Sequence, residues 1–75
     1  MKKVITERSI RTGAGKYLAQ LYADAAAELA GVTELDGMEL DSGSLALTAD
    51  GKLCILDSAG VWHDMSDGSE VAGDE

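Results

Sequence analysis

The sequence predicts a small α+β fold: an N-terminal strand, one helix, a three-stranded antiparallel β-meander and a disordered acidic C-terminal tail. Three observations predict it. β-Branched residues cluster near the start, an alanine-rich stretch then repeats leucines at helical spacing, and an Asp-Gly dipeptide separates two later apolar runs.

Residues 2–11 read as a strand, because Val4, Ile5, Thr6 and Ile10 are β-branched and polar residues interleave with them. Gly13 and Gly15 end it. Over residues 16–30, Leu18, Leu21, Tyr22, Ala25 and Leu29 fall on one helical face, and the dense alanine favours helix. A competing strand pattern, with Tyr17, Ala19, Leu21 and Ala23 alternating, overlaps the first half. If that half is extended, a short helix survives over residues 25–29. Residues 31–43 are a turn-rich connection, with Val32, Leu35, Met38 and Leu40 packing it onto the core.

Asp50-Gly51 between residues 44–49 and 52–56 predicts a two-residue type I′ hairpin. That turn sets Ala49 opposite Lys52, Leu47 opposite Cys54 and Leu45 opposite Leu56. One face then carries Leu45, Leu47, Cys54 and Leu56, and the other Ala46, Thr48, Leu53 and Ile55. Both faces are apolar, so one helix cannot cover both. Asp57-Ser58-Ala59-Gly60 is a second turn, leading into a third strand over residues 61–65. Residues 66–75 hold four acids and one apolar residue larger than alanine, a composition that favours disorder. The expected organisation is a basic arm over residues 1–15, a core over 16–65 and an acidic tail over 66–75.

At 75 residues the chain has room for one small core, and such chains usually add a disulfide, a metal or a partner. With one cysteine and one histidine, an intrachain disulfide and a four-ligand Cys/His zinc site are both excluded. A partner is the remaining staple. Net charge is −8, unevenly spread. Residues 1–16 hold five basic groups against Glu7, a net of +4, and residues 17–75 hold thirteen acids against Lys52, a net of −12. The acidic body disfavours nucleic acid and anionic membrane. The basic arm, with Lys2, Lys3, Arg8 and Arg11, suits an acidic surface, such as the body of a neighbouring copy. The same arm also reads as an ordinary solvent-facing strand.

No apolar run of signal-peptide length follows Lys2 and Lys3, and the stretch 17–30 carries Gln20, Asp24 and Glu28, unlike a transmembrane span. A lone thiol fits a reducing cytosol.

Motifs for chemistry fail on inspection. Gly13-Ala14-Gly15-Lys16 is no phosphate loop, since Ile10 stands where a glycine is needed and Tyr17 where Ser or Thr is needed. The Asp-Gly pairs lack the alternating acids of a calcium loop. Cys54 sits mid-strand on an apolar face, as a small hydrophobe, and no third group orients a Cys54–His63 pair. His63 is expected to face solvent or a partner. Trp62 reads both as a core plug and as an interface anchor. The chain is therefore read as no enzyme, with no cofactor or metal.

The recognisable stretch, residues 25–62, opens within the Ala-rich run Asp24-Ala25-Ala26-Ala27-Glu28-Leu29 and continues to Gly43-Ser44 opening a strand. The turn Asp50-Gly51, a return strand and Asp57-Ser58-Ala59-Gly60-Val61-Trp62 close it. This arrangement resembles small accessory virion proteins of tailed bacteriophages and prophages, associated with heads or tails. The chain departs from their pattern at Cys54, where an aromatic is common. The resemblance implies a non-catalytic structural and assembly protein, a capsid or connector accessory subunit assembled in the host cytoplasm. Its expected partners are other virion proteins or copies of itself, in a homo-oligomer or a larger assembly. Lys2, Lys3, Arg8, Arg11, Leu53, Ile55 and Trp62 are the candidate interface residues. The alternative reading is an acidic inhibitor that mimics DNA and binds a basic host protein.

Overall fold

The computed structural model describes residues 4–71. Alternation wins over helical spacing in the first half of the chain. Strand β1 (Val4–Arg11) and strand β2 (Tyr17–Ala23) form an antiparallel hairpin. A 3₁₀ turn follows at Ala26–Leu29, then the two-residue strands β3 (Glu34–Leu35) and β4 (Met38–Glu39). Strands β5 (Leu45–Thr48), β6 (Leu53–Leu56) and β7 (Trp62–Asp64) complete the chain. The main sheet has the order β1-β2-β5-β6-β7, and β3-β4 is a separate ribbon. All neighbours are antiparallel except β2 and β5, which run parallel.

The α+β expectation is thus corrected: the fold is nearly all β, with 47% strand, 6% helix and no helix of seven residues or more. The helix expected over residues 16–30 is replaced by β2 and the 3₁₀ turn, as the competing strand pattern required. The cause is tertiary. As a strand, Tyr17–Ala23 gains a backbone ladder on both sides, and Ala19, Leu21 and Ala23 become buried. This outweighs the few tenths of a kcal/mol per residue by which alanine favours helix over most other residue types. The meander over β5, β6 and β7 forms as expected. Of the tail predicted to be disordered, residues 66–71 fold back on the sheet. There, Val71 N–H donates to the Trp62 carbonyl at 2.8 Å and the Val71 side chain packs on the core. Residues 72–75 lie outside the described residues.

The hairpin register also differs by one residue. Leu45 faces Ile55, Ala46 faces Cys54 and Leu47 faces Leu53. The loop is therefore Ala49-Asp50-Gly51, three residues long. Gly51 N–H donates to the Thr48 carbonyl at 3.0 Å, Thr48 N–H to the Lys52 carbonyl at 2.9 Å, and Gly51 has φ 89°. This is a type I turn closed by a left-handed glycine. The same pattern joins β1 to β2 through Thr12 and Gly15, and β6 to β7 through Asp57 and Gly60. In each, the first side chain reinforces the loop: the Thr12 hydroxyl donates to the Lys16 carbonyl, Lys52 N–H donates to Thr48 Oγ1, and Val61 N–H donates to Asp57 Oδ1. The type I′ pair is instead Asp36-Gly37, with φ 54° and 78°, between Leu35 and its partner Met38.

The core lies on one face of the sheet. Ala19, Leu21, Ala23, Ala46, Cys54, Leu56 and Trp62 supply the sheet side, and Leu29 and Leu40 close it from the connection between β2 and β5. Trp62 is buried beneath that connection, and its indole N–H donates to the Val32 carbonyl at 2.8 Å. Buried Ser44 stitches the start of the parallel pair. Its hydroxyl accepts from Ala19 N–H at 3.2 Å and donates to the Asp41 carbonyl at 2.8 Å.

Three substitutions test this framework by urea denaturation. Gly51→Val forces a β-branched residue to positive φ and is expected to cost about 1–3 kcal/mol. Asp50→Asn keeps the acceptor that Thr48 Oγ1 uses and is expected within about 0.5 kcal/mol of the parent. Ser44→Ala orphans the Ala19 N–H and is expected to cost about 1–3 kcal/mol.

Candidate functional site

The register determines what the second face of the sheet carries. Ile5 pairs with Tyr22, Tyr22 with Leu47 and Leu47 with Leu53, a row of four apolar side chains across four strands. The next row is Arg8, Gln20, Leu45, Ile55 and His63. Beyond it, Ile10 pairs with Leu18. Ile5, Ile10, Leu18, Leu47 and Leu53 are exposed, from 40% for Leu18 to 66% for Ile10. No element of the described chain packs over them, since the connection between β2 and β5 covers the opposite face. Two shallow depressions mark this outer face. One, of about 210 Å³, is lined by Glu7, Gln20, Leu45, Leu47 and Leu53. The other, of about 180 Å³, is lined by Arg8, Ile10, Leu18, Gln20 and Leu45. Contiguous exposed apolar patches on small proteins are found at protein-binding, ligand-binding and aggregation-prone surfaces.

A β-bulge decides the charged edge of the face. Thr6 pairs with Leu21 but Arg8 pairs with Gln20, so Glu7 is the additional residue. The one-residue insertion reverses the alternation, and Ile5 and Ile10 share the outer face although an odd number of steps separates them.

Of the interface residues expected from sequence, Arg8, Leu53 and Ile55 lie together on the outer face. Arg11 pairs with Tyr17 on the other side of β1, so Arg8 and Arg11 do not form one basic patch. Lys2 and Lys3 lie outside the described residues. Trp62 is a core residue at 1% exposure, the plug rather than the anchor. Leu45 and Leu47, placed with Cys54 by the two-residue turn, join Leu53 and Ile55 instead. Ile5, Ile10, Leu18 and Tyr22 are members of the face that sequence reasoning missed. For the placing of Leu45 and Leu47 the signal was Thr48, three residues before Gly51, whose side chain closes the longer loop; for Leu18 and Tyr22 it was the strand alternation over residues 17–23.

The ionisable groups serve structure. Cys54 is fully buried between Ala46 and Asp64 partners, and desolvation pushes its thiol up. His63 has an acceptor on each ring nitrogen: the Gly68 carbonyl lies 3.0 Å from Nδ1 and Asp57 Oδ2 lies 2.6 Å from Nε2. The Gly68 carbonyl and then Asp57 raise the imidazole above its ordinary value. Asp57 is lowered, first by Val61 N–H and then by His63. The imidazolium thus braces the turn before β7 against the turn after it. Lys16 and Glu39 form an exposed pair at 3.6 Å, worth little in water. Among the described residues, no three His, Cys, Asp or Glu side chains are grouped to hold a metal ion. Comparisons with protein-family models, curated proteins and solved structures gave no significant match.

The His63 brace sets a pH dependence. A group whose folded value is raised contributes fully below its unfolded value near 6.5, and the contribution is lost as pH rises through the folded value. Asp57, lowered from 3.8, contributes above that value and loses its share as pH falls through the folded value. The urea midpoint is therefore expected to be higher at pH 6 than at pH 8, and His63→Gln is expected to remove most of that difference. An unchanged difference in His63→Gln would assign it to other groups.

Proposed function

We propose that this chain is a non-catalytic assembly protein that acts by contact, seating the bare face of its sheet on another protein. The observation that supports this reading is the row Ile5–Tyr22–Leu47–Leu53 with its neighbours Leu18, Leu45 and Ile55, apolar and without a covering layer among the described residues. A chain of this size has little stability to spare, and burying that row in an assembly adds to it. Contact is favoured over chemistry because the Cys54 thiol is held inside the core and both His63 nitrogens are engaged. The resemblance carried by residues 25–62 supports a setting for this work in the virion of a tailed phage. There the chain is a capsid or connector accessory subunit, binding other virion proteins or copies of itself.

Mass spectrometry of purified particles tests the reading, with the expected result a fixed copy number per particle. Leu47→Lys combined with Leu53→Lys introduces charge at two exposed positions. It is expected to leave the fold intact by circular dichroism and to weaken incorporation by about tenfold or more, because a buried leucine contributes roughly 1.5–3 kcal/mol. Absence from particles, with salt-sensitive binding to a basic host protein, would replace this reading with that of an acidic inhibitor.

A further inference from the structure

The two edges of the sheet are treated differently. At β7 the edge is three residues long and the returning chain covers it: His63 bridges to Glu70, and Asp64 N–H donates to the Ser69 carbonyl at 2.8 Å. At β1 the edge is eight residues long, the longest strand, and it pairs only with β2 among the described residues. An open row of N–H and C=O groups is a template for another strand.

We propose that β1 is a self-complementary edge that pairs antiparallel with β1 of a second copy about a two-fold axis, in the register that sets Glu7 opposite Arg8. The same register sets Ile5 opposite Ile10, Thr6 opposite Ser9 and Val4 opposite Arg11. Facing residues in an antiparallel pair must share a face. Ile5 and Ile10 lie on the outer face, and Thr6, Ser9, Val4 and Arg11 on the core side, as their β2 partners establish. In an unbulged strand, Ile5 and Ile10 would point to opposite faces, so the extra residue at Glu7 is what makes self-pairing consistent. Moving the register by one residue either way sets Glu7 against Glu7 or Arg8 against Arg8 and mismatches every other pair of faces. Charge selects the partner too. Glu7 and Arg8 compensate each other twice across the axis, and the acidic bodies, carrying −12 over residues 17–75, are turned outward. The edge usually guarded by a bulge and charges is here complementary to itself.

The pairing joins two sheets edge to edge and leaves both outer faces open. It therefore stands on observations separate from those behind the proposed docking of that face.

Sedimentation equilibrium of the full chain at low salt tests it. The parent is expected to dimerise, and 1 M salt to weaken the dimer. Glu7→Arg alone and Arg8→Glu alone set like charges opposite each other twice, and each is expected to raise the dimer Kd about tenfold or more. The double variant Glu7→Arg/Arg8→Glu reverses every pair and is expected to restore dimerisation to within about threefold of the parent. All these positions are exposed, and circular dichroism checks that the fold is kept. A chain that is monomeric at its highest soluble concentration, or a double variant as weak as the single ones, would overturn the proposal. So would a dimer that ignores Glu7 and Arg8 but dissociates with Leu47→Lys/Leu53→Lys, a result that would instead support the outer-face reading.

Discussion

The parallel pairing of β2 with β5 is the constraint on which the rest of the structure depends. Parallel strands cannot be joined by a tight turn, so the chain must leave the sheet after Ala23 and return before Leu45. That excursion crosses only one face. It places Leu29 and Leu40 over the sheet, supplies the Val32 carbonyl to the Trp62 indole, and ends at buried Ser44, whose hydroxyl takes up the Ala19 N–H where the regular ladder has not begun. The small side chains of Ala19, Ala23 and Ala46 allow the connection to lie close to the sheet. Substituting bulk there would lift the connection from the core.

A one-sided core has a consequence for the other side. The connection, joined by Val71 of the returning chain, covers only one face among the described residues, and β-structure alternates, so each core residue on a strand commits its neighbours to the bare face. Leu47 lies between Ala46 and Thr48, and Leu53 lies beside Cys54. Those neighbours are mainly leucine, isoleucine and tyrosine, with Gln20 among them and Arg8 and His63 only at the two ends of a row, although the body is strongly acidic elsewhere. The acids are collected in turns instead: Asp57 and Asp67 accept backbone N–H groups and are lowered by them, and Asp50 accepts the Thr48 hydroxyl. The solvated charge thus surrounds an apolar sheet face without interrupting it, a distribution that suits association through that face and solubility through the turns.

Much of this was legible in the sequence, and the failures have identifiable physical causes. The meander, its turn at Asp57–Gly60, the structural role of Cys54 and the packing of the 31–43 connection follow from turn chemistry and alternation. Residues 17–23 satisfy both a helical and a strand pattern, and only the availability of two neighbouring strands decides between them, which is long-range information. The hairpin at Gly51 turned on a single residue. Asp-Gly fits a type I′ turn, but Thr48 offers a side chain that closes a three-residue loop, and the change exchanges Leu45 and Leu47 between faces. The bulge at Glu7 left no signal in local composition, so the grouping of Ile5 with Ile10, and the separation of Arg8 from Arg11, could not be read from spacing alone.

The central claim, that Tyr17–Ala23 is a strand held parallel to β5 and that this junction makes the sheet one-sided, is tested most directly by nuclear magnetic resonance of the full chain in solution. Extended Cα shifts over residues 17–23, with close contacts between Leu21 and Ala46 and between Tyr22 and Leu47, are the predicted result. Helical shifts over residues 17–23, with Leu18, Leu21, Tyr22 and Ala25 on one packed face and no contact from Leu21 to Ala46, would contradict it.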